Sequence, residues 1–235
     1  MSAFDKFLSD LSAGMAADLR SGVPYMDPAY WKVFYDPFVV IPDVVTYWTN
    51  TNTSGTLAVS SSGITQTMGG SDNDLSQLYT KTATFALVSG KKALFEAKVK
   101  VDKGAAGTIG QQEIFVGLSA VATSTNFVAA DGLTMAVDDC VGFWSPDGST
   151  NLAAIARNTD VESIEAAAST YADATFYTFQ WLFDGTTVTF YKNGTGIASL
   201  TGYPTAALAP MLFIKAGEAK PAVLTTAYIL VATER

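Results

Sequence analysis

Apolar and polar residues alternate along much of this chain, which is the pattern of strands that bury one face of a sheet. The clearest case is the segment from Ala93 to Val101. Its apolar positions are Phe95, Ala97, Val99 and Val101, and its charged positions are Glu96, Lys98 and Lys100. Because successive side chains of a strand point to opposite faces, we expect one face of this segment to be buried and the other to meet water.

A second alternating region predicts a three-stranded antiparallel meander. Tyr177, Phe179, Trp181 and Phe183 share one face, Val188 and Phe190 return on the core side, and Gly196 to Leu200 supply the third strand. Asp184-Gly185-Thr186 makes the first turn, and Asn193-Gly194 makes the second. Asn-Gly is a strong hairpin signal because both residues tolerate the positive φ angles of a type I′ turn.

Further short runs, bounded by Gly, Asn, Asp and Ser, also predict strands. They are Leu57 to Ser60, Ile64 to Met68, Gln77 to Thr80, Ile114 to Ala120, Leu133 to Val137, Val141 to Trp144, Leu152 to Arg157, Met211 to Lys215 and Leu224 to Ala232. Many short strands without alternating helical segments are typical of a sandwich or barrel. We therefore predict an all-β sandwich of two antiparallel sheets over residues 44–235.

The first 43 residues follow other patterns. Phe4, Phe7, Leu8, Leu11, Met15 and Leu19 recur at helical spacing and predict an amphipathic helix that ends near Arg20. The segment from Val23 to Trp48 then holds half of the chain's 8 prolines, and prolines discourage regular structure. It is also rich in aromatic residues, so it must pack against something. We predict an N-terminal helix and docking arm over residues 1–43.

The arm has two interpretations that the sequence leaves open. It either folds back onto its own sandwich or binds a partner protein or a neighbouring subunit, because aromatic residues make good interface anchors. Under the second interpretation, the predicted partner-binding residues are Phe4, Phe7, Leu11, Tyr25, Tyr30, Trp31, Phe34, Tyr35 and Phe38.

Charge narrows the classes of partner. The 235 residues carry 14 Lys and Arg against 22 Asp and Glu, which gives a net charge of −8. This charge repels phosphate backbones and anionic lipids, so we predict neither a nucleic acid nor a membrane as partner. No apolar run approaches the roughly 18 residues of a spanning helix. The N-terminus does not resemble a secretion signal, so assembly in a cytoplasm is expected.

Few residues suit catalysis or metal binding. The chain has no histidine, and Cys140 is its one cysteine, which is expected to be buried as a small apolar residue. Ser71 to Asp74 and Asp138-Asp139 gather oxygen ligands that suit calcium, but turn chemistry explains them better. An alternative glycosidase would use Glu96 or Glu113, with the two glutamates on neighbouring strands. We predict a non-enzymatic protein with no metal and no cofactor.

Several segments resemble a known family. Ser76 to Lys81 and Gly90 to Val101 are similar to the opening strands of concanavalin-like or laminin-G-like jelly rolls in tailed-bacteriophage structural proteins. Later segments agree in order, namely Phe115 to Leu118, Val141 to Trp144, Phe183 to Thr186, Val188 to Gly194 and Tyr228 to Ala232. The resemblance covers residues 44–235 and consists mostly of strand and turn chemistry.

The resemblance implies a capsid decoration or cement protein on the exterior of a virion. Its partner would be the major capsid protein, bound through the N-terminal arm, and the chain would form a homo-oligomer, either a trimer or a dimer. The alternative function is a carbohydrate-binding, lectin-like module on a phage surface or tail fibre. Its partners would be surface glycans, bound by aromatic residues such as Tyr191 or Trp144.

Overall fold

The computed structural model describes residues 30–38, 47–104, 107–120, 137–159 and 161–235. The strands within these ranges are β1 (Trp31–Asp36), β2 (Trp48–Asn52), β3 (Gly55–Ser60), β4 (Gly63–Met68), β5 (Leu75–Thr80), β6 (Ala93–Asp102), β7 (Gln112–Ser119), β8 (Cys140–Ser145), β9 (Asn151–Asn158), β10 (Val161–Thr170), β11 (Thr175–Phe183), β12 (Val188–Lys192), β13 (Thr195–Leu200), β14 (Ala209–Ala216) and β15 (Val223–Glu234). In this part of the chain no helix is long and apolar enough to cross a membrane.

The strands form two antiparallel sheets. Sheet I has the order β13-β12-β11-β6-β15-β4-β3, and β1 also pairs with β15. Sheet II has the order β10-β9-β8-β7-β14-β5-β2. This arrangement confirms the predicted all-β sandwich and is consistent with a jelly roll. The predicted N-terminal helix and the predicted domain boundary at residue 43 lie outside the described residues.

Alternation located most strands but not all of them. The meander is present as β11, β12 and β13, and Asn193 and Gly194 both have positive φ angles, of 49° and 77°. Strand β10 was missed because it lies at a sheet edge and is largely exposed along its length, so it shows no apolar alternation. Strand β2 was missed because most of its residues are polar. The predicted strand from Leu133 lies outside the described residues except for Val137.

The main core lies between the two sheets. The Phe143 ring of sheet II stacks on Phe179 of sheet I with ring centroids 4.9 Å apart, and it meets Phe190 edge-on at 5.4 Å. A buried hydrogen bond also joins the two sheets. Gln66 Nε2 of β4 in sheet I donates to Ser76 Oγ of β5 in sheet II at 2.9 Å. The aromatic face that the meander predicted is therefore the face that joins the sheets.

Part of the predicted arm belongs to this sandwich. Strand β1 pairs with β15, and both Trp31 and Phe38 are buried. The Asp36 carboxylate accepts hydrogen bonds from the Trp48 indole at 2.9 Å and from the Phe38 amide at 2.8 Å. Residues 31–38 thus pack on their own chain, which is one of the two interpretations that the sequence left open.

The other predicted partner-binding residues are distributed differently. Phe34 is partly buried against Trp48 and Phe85, whereas Tyr30 and Tyr35 are 62% and 56% exposed. Phe4, Phe7, Leu11 and Tyr25 lie outside the described residues. Contact of the arm with a partner protein stays a prediction.

Strand β15 has two different neighbours on one side. Its residues Val223 to Thr226 pair with β4, and Ile229 to Glu234 pair with β1. On its other side β15 pairs with β6 throughout, with a bulge between Thr226 and Tyr228. Gly63 lies against this bulge with a φ of 112°, and a Cβ there would come within 2.1 Å of the Thr226 carbonyl oxygen. Only glycine fits this approach of β4 to β15.

Phe38→Ala tests whether residues 31–38 belong to the sandwich. Removing a fully buried phenyl ring leaves a cavity beside Trp48, so we expect the free energy of unfolding to fall by about 3–5 kcal/mol. Tyr30→Ala is the matched control because that ring is exposed, and its effect should stay within about 0.5 kcal/mol. Urea denaturation measures both. Equal stability of the two variants would contradict the described packing.

Candidate functional site

A carboxylate lies near the middle of the outer face of sheet I. Glu96 projects from β6 and stands opposite Gln180 of β11 in the strand register. Gln180 Nε2 donates to Glu96 Oε2, and the Tyr228 hydroxyl donates to Glu96 Oε1, each at 2.6 Å. Hydrogen bonds to a charged group are short and strong. Three strands therefore fix the orientation of this carboxylate.

The environment of Tyr228 changes its acidity. Burial and then the hydrogen bond to Glu96 raise the pKa of the Tyr228 hydroxyl above its ordinary value. The phenol consequently remains a hydrogen-bond donor at neutral pH. Its ring also lies 6.2 Å from the exposed ring of Tyr35, measured between centroids. These two tyrosines place aromatic surface beside the carboxylate.

An open cleft adjoins this cluster. Its volume is about 680 Å³. The lining residues are Pro37, Phe38, Val59, Ser60, Ser61, Ser62, Gly63, Lys98, Phe176 and Ala227. It forms where β15 changes partner, because the end of β1, the β3–β4 hairpin and the bulge in β15 meet there. We call this space the junction cleft.

Lys98 and the Phe176 ring line the junction cleft on the side of β6, and Lys100 lies beside the same ring. Lys98 Nζ and Lys100 Nζ each lie 5.5 Å from the centroid of the Phe176 ring. This distance is within the range of a cation–π interaction. Phe176 is only partly buried, so its ring is available to a ligand as well as to the lysines.

Glu113 lies on the other side of the sandwich. It belongs to β7 of sheet II, where the Trp144 indole donates to its Oε1 at 3.1 Å and Lys215 stands opposite in the register. Glu96 faces outward from sheet I, and packed sheets lie about 10 Å apart. The alternative in which Glu96 and Glu113 pair on neighbouring strands is therefore excluded, since a glycosidase pair needs about 5–10 Å between carboxyl groups.

The outer face of sheet II is a second buried apolar cluster. Its members include Phe115, Cys140, Ile155, Met211 and Phe213. Cys140 is buried as expected, and burial raises the pKa of its thiol. Trp144 belongs to the same cluster and is 7% exposed, while Tyr191 is 8% exposed. The prediction that these two aromatics are exposed sugar-binding residues is therefore wrong.

The first predicted oxygen-rich turn is held together by its own hydrogen bonds. Asp74 Oδ2 accepts from Ser54 Oγ at 2.5 Å and from the backbone amides of Gly70 and Ser71 at 3.1 and 3.0 Å. This carboxylate serves turn chemistry, as the sequence favoured. Among the described residues, no group of three or more Asp, Glu, Cys or His side chains is placed to hold a metal ion.

Sequence reasoning found Glu96 and Lys98 but missed their companions. The alternation of β6 placed both residues on the face in water. Their companions lie far along the chain, since Phe176, Gln180 and Tyr228 follow Glu96 by 80, 84 and 132 residues. Only the register of β11 and β15 against β6 brings them together, and alternation alone does not give that register.

Comparison with known proteins defines the fold. No family model and no curated protein matches the sequence. An endo-1,3-β-glucanase from Streptomyces sioyaensis has a similar structure, with a TM-score of 0.63, 11% identity and coverage of 89% of this chain and 98% of that chain. A Bacillus licheniformis β-glucanase has a TM-score of 0.59 at 12% identity, with coverage of 85% and 97%.

A third similar structure is a GH16 protein of Bacteroides ovatus in complex with a G4G4G3G product. Its TM-score is 0.56 at 10% identity, and the match covers 84% of this chain and 99% of that chain. These likenesses support the concanavalin-like jelly-roll fold that the sequence predicted. At such identities they show the fold alone, and they do not show the bacteriophage context.

The same neighbours correct one prediction. The absence of histidine led to the prediction of a non-enzymatic protein, yet the fold is that of glucanases. Glycoside hydrolysis uses paired carboxylates and does not need histidine, so the absence of histidine does not exclude a glycosidase. The fold therefore does not exclude an enzyme.

Tyr228→Phe tests the hydrogen bond to Glu96. The raised pKa means that folding favours the protonated phenol, so its stabilisation is complete below about pH 10 and is lost as pH rises through the raised pKa. We expect the variant to be about 1–2 kcal/mol less stable than the wild type at pH 7. The difference should shrink above pH 10.

Urea denaturation at pH 7 and at pH 11 measures this difference. Tyr35→Phe is the matched control, because its ring is the exposed neighbour of Tyr228, and it should match the wild type at both pH values. The hydrogen bond would be contradicted if Tyr228→Phe and the wild type had the same free energy of unfolding at pH 7. It would also be contradicted if their difference were larger at pH 11 than at pH 7.

Proposed function

We propose that this protein binds a glycan in the junction cleft on the outer face of sheet I. The observation that carries the proposal is the combination at this cleft of the Phe176 ring, the Lys98 ammonium and the serine hydroxyls of the β3–β4 hairpin. Ligand sites combine apolar and aromatic surface with a few fixed polar groups. A sugar ring presents both an apolar face and hydroxyl groups, so it suits such a lining.

The neighbouring carboxylate strengthens the proposal. Glu96 is oriented by Gln180 and Tyr228, and all three side chains stand on paired strands rather than on loops. A site on rigid strands keeps its geometry before the ligand arrives, which lowers the entropy cost of binding. The exposed Tyr35 extends the aromatic surface beyond Tyr228.

The fold supports a carbohydrate ligand more than it supports a capsid role. Similar structures include two glucanases and a protein in complex with a glucan product. The predicted capsid decoration role, the virion location, the major capsid protein as partner and the homo-oligomer rest on the sequence resemblance and stay predictions. A glycan-binding function does not depend on any of them.

Affinity electrophoresis against a panel of polysaccharides tests this proposal. The wild type is expected to be retarded by at least one polysaccharide, and isothermal titration then gives the dissociation constant. Phe176→Ala removes the aromatic wall and is expected to weaken binding by about tenfold or more, in the range of an interface hot spot. Tyr35→Ala is expected to weaken binding by a smaller factor.

Tyr47→Ala is the matched control for these variants. Tyr47 is 65% exposed, and it lies beside β2 of sheet II rather than at the junction cleft. It should bind like the wild type. An equal loss in Tyr47→Ala, or no binding of any polysaccharide by the wild type, would refute the proposal. Release of reducing ends by the wild type and its loss in Glu96→Gln would show that binding at this site leads to hydrolysis.

A further inference from the structure

The junction cleft carries a charge that differs in sign from that of the whole protein. The chain has a net charge of −8. Of the described residues that line the cleft, however, only Lys98 is charged, and its charge is positive. Lys100 follows two positions later on the same face of β6, and its ammonium group lies beside the Phe176 ring that lines the cleft.

We propose that the glycan bound at the junction cleft is anionic and bears carboxylate or sulfate groups that pair with Lys98 and Lys100. This inference rests on the proposed function. The shared chemistry is an anionic group on a sugar ring that lies against Phe176. The ammonium groups then meet the charge while the ring covers the apolar face of the sugar.

The two lysines have no competing carboxylate across the sheet. In the strand register, Lys98 stands between Thr178 and Tyr228, and Lys100 stands between Phe176 and Thr225. All four neighbours are uncharged. An ion pair does occur between described residues at the end of β6, where Lys103 Nζ lies 3.9 Å from Asp173, but neither Lys98 nor Lys100 takes part in one.

The nearest carboxylates on the same strand are those of Glu96, two positions before Lys98, and Asp102, two positions after Lys100, and both accept hydrogen bonds from other groups. Both oxygens of Glu96 accept short hydrogen bonds, one from Gln180 and one from Tyr228. A carboxylate that accepts bonds at both oxygens is held in place and cannot swing toward Lys98 without leaving those donors unpaired. The lysines are thus left available to an anion from outside the chain.

Aromatic contact places the lysines near a ligand that stacks on the ring. Each ammonium lies 5.5 Å from the centroid of the Phe176 ring. An anionic group on a sugar that stacks on this ring therefore lies within one Debye length, about 8 Å at physiological ionic strength, of both ammonium groups. The distant acidic residues of the chain are largely screened at that salt concentration.

Binding measurements with anionic and neutral polysaccharides test whether the ligand is anionic. The probes are polygalacturonate, which carries carboxylates, dextran sulfate, which carries sulfates, and laminarin, which is neutral. We expect the wild type to bind one of the two anionic polysaccharides at least about tenfold more tightly than laminarin, a difference of about 1.4 kcal/mol. Polygalacturonate and dextran sulfate distinguish carboxylate from sulfate, and a preference for either supports the proposal.

Variants of Lys98 and Lys100 test whether these two residues cause the preference for an anionic polysaccharide. The double variant Lys98→Ala with Lys100→Ala should lose at least about tenfold in affinity for the anionic polymer and little for laminarin. The double variant Lys98→Arg with Lys100→Arg keeps both charges and should retain most of the binding. Lys91→Ala is the control, because Lys91 precedes the opposite end of β6 and should bind like the wild type.

The outcomes separate this inference from the proposed function. Tight binding of laminarin that does not change in the lysine variants would overturn the anionic ligand and leave glycan binding intact. Equal binding of polyglutamate, an anionic polymer without sugar rings, would also overturn the inference, because charge alone would then explain it. Failure to bind any of the polysaccharides would refute the proposed function itself.

Discussion

The change of partner along β15 is the constraint on which the rest of the molecule depends. This strand is the longest in the described structure, and it holds β6 on one side while β4 and then β1 occupy the other. Backbone amides and carbonyls need hydrogen-bond partners along the whole edge of β15, and two shorter strands, β4 and β1, supply them. The bulge at residue 227 and the close approach of Gly63 mark the point of exchange. The junction cleft is a direct result of this exchange.

The two outer faces of the sandwich differ in chemistry. Sheet II carries apolar side chains outward from its central strands, and they form a buried cluster around Phe115 and Phe213. Sheet I carries Glu96, Lys98 and Lys100 outward from β6 beside polar and aromatic neighbours. An outer face with oriented polar groups beside an open cleft suits a ligand, and a closed apolar face does not. The proposed glycan site therefore lies on sheet I.

The sequence predicted the fold class and the side of β6 that faces water, because alternation is a local property of each strand. It did not predict which strands are neighbours. Glu96 and Glu113 are close in sequence, and the glycosidase alternative required them on neighbouring strands, yet β6 and β7 belong to different sheets. Gln180 and Tyr228 are distant in sequence and contact Glu96 directly. Register between distant strands is a tertiary property that a pattern in one segment does not contain.

The most direct test of the account is to map the ligand on the protein by NMR. Amide resonances are followed while an acidic oligosaccharide, such as an oligogalacturonate, is added to the uniformly labelled full chain. If the glycan binds in the junction cleft, the largest shifts fall on the residues around it, namely Ser61, Lys98, Phe176 and Ala227. Shifts concentrated instead around Glu113 and Trp144 on sheet II would contradict it.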